Sequence, residues 1–135
     1  MTHSMTTEYL GELRTTATHL KSANQVITDA PTDNNGKGEA FSPTDLVSSA
    51  LCSCMMTIMG IKADQEGVDL KGLKANVTKV MSASPRKISE IKIEFTHDSL
   101  EATPKQIEVL KRAALTCPVA LSLSSELKQT VKFNF

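Results

Sequence analysis

The segment SPTDLVSSALCSCMMTIMGIKADQEG, Ser42 to Gly67, constrains this chain more than any other stretch. Ser42 is a good N-cap, and Pro43 suits the first helical position, where the amide has no intrahelical acceptor to lose. Asp45, three residues after the cap, makes a capping box with Asp in place of the usual Glu or Gln. Gly67 is a natural stop, so the interval predicts one helix of about 24 residues and about 36 Å. That helix is apolar nearly all round, with Leu46, Val47, Ala50, Leu51, Met55, Met56, Ile58, Met59 and Ile61 spread over its circumference. A helix without a polar face is covered on most sides and is expected to be central. Ser48, Ser49, Ser53 and Gly60 are small enough to admit another backbone, and a partner subunit could supply part of the cover.

The rest of the chain is ordinary by comparison. At 135 residues it is expected to be one domain, residues 1–135, long enough to bury its own core. Fifteen basic residues balance fifteen acidic ones and no Lys/Arg block occurs, so a nucleic-acid partner is not expected. The start, MTHSMTTEYL, lacks the basic and apolar runs of a signal peptide. Lys62 and Asp64 close the apolar stretch, so no membrane span is expected and a cytoplasmic location follows.

Glu8–Leu20 and Gln25–Thr28 read as strands joined at Lys21–Asn24. Asp29–Phe41, dense in turn formers, reads as a long exposed loop before the central helix. After the helix, GLKANVTKV and EIKIEF alternate apolar and polar residues and predict an antiparallel pair turning at Ser84–Lys87. Thr103, Pro104 and Gln106 open a second helix, with Ile107, Leu110, Ala113 and Ala114 as its inward stripe. Pro118 opens a short third helix extending to Leu127, and Val131, Phe133 and Phe135 alternate in a final strand. The order β-β-α-β-β-α-α-β, with mostly antiparallel strands, is α+β.

Three cysteines stand out. An odd number in a reducing compartment argues against a disulfide framework and leaves packing, metal or redox chemistry. Cys52 and Cys54 point about 200° apart on a helix and cannot bond each other there. Cys54 shares a face with Val47, Ala50, Ile58 and Ile61, where a cysteine is commonly an inert core residue, and the same holds for Cys52. Cys117 caps the helix opening at Pro118, beside free N–H groups and a positive dipole end, which favours thiolate. His3, His19 and His97 have no paired-ligand spacing, and no C-x2-C or H-x3-H occurs, so no metal is expected. The six methionines read as core filler that could also line an adaptable apolar pocket.

The stretch FSPTDLVSSALCSCMMTIMGIKADQEGVDLKGL followed by LTCPVALSL resembles the OsmC/Ohr family of thiol-dependent peroxidases, in its OsmC-like branch. The resemblance covers essentially the whole chain. ALCSC matches the family's Ala-Leu-Gly-Ser-Cys pattern, so Cys54 takes the place of the helix cysteine and Cys52 that of a glycine. Cys117 matches the family's Cys-Pro cysteine, 63 residues on. The resemblance implies an intertwined homodimer with the long helices buried between subunits. It implies a peroxidase in which Cys54 attacks an organic hydroperoxide and Cys117 captures the sulfenic acid as an intramolecular disulfide, which a dithiol reductant reopens. It implies no metal and no organic cofactor. In the hydroperoxide-resistance branch an early-strand arginine and a glutamate after the helix-opening proline activate the thiolate. Here Thr44 and Asp45 follow Pro43, and the cation would come from Arg14, Lys21 or Arg86. Two alternatives are a non-catalytic binder of an apolar small molecule or acyl chain in a dimer-interface pocket, and a structural dimer with inert cysteines.

Overall fold

The computed structural model describes residues 3–135, so the first two residues of the N-terminal stretch lie outside it. The chain divides into two units, Met1–Leu46 and Val47–Phe135. In the first, strands β1 (Met5–Gly11), β2 (Arg14–His19) and β3 (Gln25–Asp29) form an antiparallel sheet in that order. The single strand expected over Glu8–Leu20 is therefore two strands and a tight turn. Gly11, Glu12 and Leu13 all take positive φ, at 85°, 53° and 63°. A left-handed conformation is costly for Glu and Leu. Contacts from elsewhere hold it: Lys37 pairs with Glu12 at 3.0 Å, and the Ala30 N–H donates to the Leu13 carbonyl at 3.0 Å.

Asp29–Phe41 is a folded segment rather than a free linker. Asp29 closes β3 with no exposed surface, and Thr32–Asn34 make a turn of 3-10 helix. The Gly36 N–H donates to Pro31 O at 2.9 Å, and a Cβ at Gly36 would stand 1.8 Å from the Ala30 carbonyl oxygen, so only glycine fits. Asp29 lies directly opposite Arg14 in the sheet. Its carboxylate accepts Arg14 Nε at 2.7 Å and Nη2 at 2.8 Å, and the Glu39 N–H at 3.2 Å. These bonds, the Arg14 hydrogen bond foremost, hold the Asp29 carboxyl below its usual range and push the guanidinium up.

Helix α1 (Pro43–Glu66) has the predicted ends. The Asp45 N–H donates to Ser42 Oγ at 3.1 Å, and the Ser42 N–H donates to Asp45 Oδ2 at 3.0 Å, a reciprocal box. At the other end Gly67 takes φ 70° while Val68 N–H reaches Ala63 O and Gly67 N–H reaches Asp64 O, the Schellman arrangement. Only one face is buried in the single chain: Ser48, Leu51, Cys52, Met55, Met59 and Ala63. Val47, Ala50, Ser53, Thr57 and Ile61 are exposed, so the chain alone does not cover the helix on most sides. By length and composition α1 could cross a membrane, contrary to the sequence expectation, but core helices meet the same test and this one packs its buried face into an apolar cluster.

That cluster is completed by a second sheet, β4 (Lys74–Ala83), β5 (Arg86–Thr96) and β6 (Lys128–Asn134), with β5 central. β4 and β5 are antiparallel as expected, whereas β6 runs parallel to β5. Ile91, Ile93 and Phe95 turn inward against Leu51, Met55 and Met59 of α1 and Leu110 and Ala114 of α2 (Pro104–Leu115). α2 carries the predicted capping box between Thr103 and Gln106. Helix α3 (Pro118–Ser122) stops five residues short of Leu127. Ser124 ends it by accepting the Glu126 N–H on its hydroxyl and the Leu127 N–H on its carbonyl, a local turn that competes with helix. The architecture is α+β with two three-stranded sheets.

Candidate active site around Cys54 and Cys117

Cys54 sits mid-way along α1, half-buried and packed against the core; Cys117 lies at the start of α3 with no exposed surface. The helices explain how residues so far apart in sequence meet. Gln106 Nε2 donates to Glu66 O at 3.1 Å and fixes the start of α2 at the end of α1. Cys54 lies 12 residues before Glu66 and Cys117 lies 11 after Gln106, each about 17 Å at helical rise. An antiparallel α2 thus returns Cys117 to the level of Cys54, and the two thiols are close enough to interact.

Cys117 has the cap geometry expected of it, φ −67° and ψ 154°, and its Sγ accepts the Ala120 N–H at 3.4 Å. The thiolate expected from that position is not favoured. Burial pushes the Cys117 thiol up; the Ala120 N–H pulls the other way, and the hydrogen bond and charge of Cys54 raise it again. The helix end contributes as anticipated, but desolvation outweighs it because the sulfur is sealed from water. Cys52 points into the core, where burial raises its thiol too. All three cysteines are free thiols.

The charges considered as activators have other placements. Arg14 is held by Asp29 and also reaches Glu39 Oε1 at 3.0 Å, within the first unit. Asp45 caps α1, Lys21 is exposed in the β2–β3 turn, and Arg86 opens β5 opposite Ala83. His19 Nδ1 bonds Ser22 Oγ at 2.6 Å, and His97 bridges Lys71 O and Ser99 N. No group of three metal-ligating side chains occurs among the described residues. Met55 and Met59 are sealed in the core rather than lining a pocket.

One contact escaped the sequence. Gln129 Nε2 donates to the Ala120 carbonyl at 3.0 Å, tying β6 to the helix that carries Cys117. Its signal is visible in hindsight: Gln129 precedes Val131 and Phe133 by two and four residues, a polar side chain in the half-buried register of β6.

A family model described as OsmC-like protein matches residues 36–132. The fold is that of an osmotic stress induced and detoxification response protein from Psychrobacter arcticus 273-4, at 48% identity and TM-score 0.94, covering 99% of this chain and 97% of that one. An OsmC-like protein from Mycoplasma pneumoniae matches at 20% identity and TM-score 0.80, covering 99% and 96%. An organic hydroperoxide resistance protein from Vibrio cholerae, solved with captopril in one of its active sites, matches at 14% identity and TM-score 0.70, covering 99% and 93%. None of the curated proteins matches the sequence.

Proposed function

We propose that this chain, which belongs to the OsmC-like protein family, is a thiol peroxidase that reduces organic hydroperoxides, with Cys54 attacking and Cys117 resolving. The observation that supports this assignment is that the fold brings the two thiols, 63 residues apart in sequence, close enough to interact. Exposure separates their roles: Cys117 is sealed from solvent and its thiol is pushed up by burial, whereas Cys54 is only half-buried and can meet a substrate. Attack on the distal oxygen breaks the O–O bond, releases the alcohol and leaves Cys54 as a sulfenic acid. Cys117 sulfur then displaces that oxygen, which leaves as water with the Cys117 proton, and a disulfide forms. A dithiol reductant restores both thiols. No metal or organic cofactor enters the cycle.

The description of the Vibrio cholerae protein as one of organic hydroperoxide resistance supports the substrate class. A homodimer would cover the exposed Val47, Ala50 and Ile61 of α1. A cytoplasmic, reducing location suits a cycle that ends in free thiols. The test is consumption of an organic hydroperoxide in the presence of a dithiol. Wild type should turn over and Cys54→Ser should not, and peptide mapping after one equivalent of peroxide should recover the Cys54–Cys117 disulfide. Equal rates for both proteins would remove the assignment. A second reading takes its cue from captopril in the relative's site: a small-molecule binder, for which peroxide leaves all three thiols free.

A further inference from the structure

We infer that Gln129 is a positioning residue for the resolving thiol, an inference that rests on the peroxidase cycle above. Ala120 is bonded at both of its backbone groups. Its N–H donates to Cys117 Sγ at 3.4 Å, and its carbonyl accepts Gln129 Nε2 at 3.0 Å. The Gln129 side chain therefore holds the peptide unit adjoining the one that holds the sulfur. α3 is five residues long, and its carbonyls lie within one turn of its end, where helices leave acceptors unsatisfied. A helix this short has little internal stability, so its place against the core depends on external ties. Gln129 supplies one from β6, a strand locked in register with the buried Ile91, Ile93 and Phe95 of β5.

The register of β6 argues for a purpose. Gln129, Val131 and Phe133 share the half-buried side of the strand, while Lys128, Thr130 and Lys132 are exposed. An apolar residue at 129 would suit that side and leave the Ala120 carbonyl without its donor. The amide reaches the one helix that bears Cys117.

The step that depends on this placement is resolution. Cys117 Sγ forms a bond to Cys54 Sγ as the Cys54 S–O bond breaks, with oxygen leaving as water and taking the Cys117 proton. The organic hydroperoxide of the preceding step is the oxidant. Sulfur must approach in line with the breaking bond, so loosening α3 slows this step while leaving the attack of Cys54 on peroxide untouched.

The decisive variant is Gln129→Glu, similar in shape but presenting a carboxylate to the Ala120 carbonyl. Disulfide formation after one equivalent of an organic hydroperoxide is followed by rapid quench and mass spectrometry, and loss of the Cys54 thiol is followed in parallel. Gln129→Glu should form the disulfide about tenfold more slowly near pH 7, with the thiol lost at the wild-type rate, which corresponds to one lost hydrogen bond. More Cys54 should reach the sulfinic acid. Near pH 4, where the introduced carboxyl can carry a proton and donate, the ratio of variant to wild-type resolution rates should return toward one. Loss of the Cys54 thiol at the wild-type rate separates this role from a general loosening of the fold, which would alter both steps. Equal resolution rates at both pH values, in a wild type that does form the disulfide, would overturn the role of Gln129. A wild type that forms no disulfide would instead remove the peroxidase cycle. Gln129→Leu, which suits the half-buried register, guards against misfolding: slow resolution with no recovery at low pH is expected of it.

Discussion

The two units of this protein are held by different forces. In the first, the side chains sealed from solvent are Thr28, Asp29 and Ser42, all polar, while Tyr9, Leu10, Val26 and Ile27 are exposed. In the second, the sealed side chains are chiefly apolar, among them Leu51, Met55, Met59, Ile91, Ile93, Phe95, Leu110 and Ala114, with Ser48 the polar member among the described residues and Phe95 stacked on Phe133 at 5.5 Å. Hydrogen bonds and ion pairs are directional, so Arg14, Asp29 and Glu39 fix the path of a loop and a strained turn. Burial of apolar surface is non-directional and additive, and it supplies most of the free energy. Geometry is specified in one place, and stability is accumulated in the other.

The largest effect that can break this contrast is a core truncation. Phe95→Ala should cost about 3–5 kcal/mol in urea unfolding followed by circular dichroism, whereas Val26→Ala should cost under about 0.5 kcal/mol. Similar costs would abolish the distinction. Next, Gly36→Ala should cost about 1–3 kcal/mol by driving a Cβ into the Ala30 carbonyl, and protease sensitivity within residues 29–41 should rise with it. Acid offers a selective probe of the polar hub. The Asp29 carboxyl is held below its ordinary value, so its stabilisation is complete above about pH 4 and is lost as pH falls through the lowered native value. Proteolysis of residues 29–41 should therefore rise at low pH in wild type, while Asp29→Asn should be sensitive throughout; superimposable profiles would exclude the carboxylate. The smallest effect sharpens the comparison within the second unit: Thr103→Ala removes the α2 cap and should cost about 1 kcal/mol by the same unfolding measurement.

What could be foreseen from sequence followed the reach of each signal. Both ends of α1 and the start of α2 were legible because caps are local: Ser42 with Asp45, Thr103 with Gln106, and Gly67 each act within a few residues. The β1–β2 turn was hidden because Glu12 and Leu13 carry no preference for positive φ and adopt it only under contacts from Ala30 and Lys37. The same distance concealed the pairing of Arg14 with Asp29, and with it the order in Asp29–Phe41. Parallel pairing of β6 with β5 depends on two intervening helices, and strand alternation says nothing about direction. For the site, periodicity left Cys54 as an ordinary buried thiol, the cap before Pro118 set Cys117 apart, and resemblance joined the two as a pair. The ionisation of Cys117 was misjudged because a cap is read from neighbours in sequence, while desolvation comes from the whole packed interior.

The sealed position of Cys117 also makes it a clock. A bulky alkylating reagent can reach that sulfur only when the structure around it opens, whereas Cys54 is only half-buried in the closed chain. Where closing is faster than labelling, the rate at Cys117 relative to an unfolded chain measures how often that corner of the molecule opens. A native thiol thereby reports local breathing without any probe being attached beforehand.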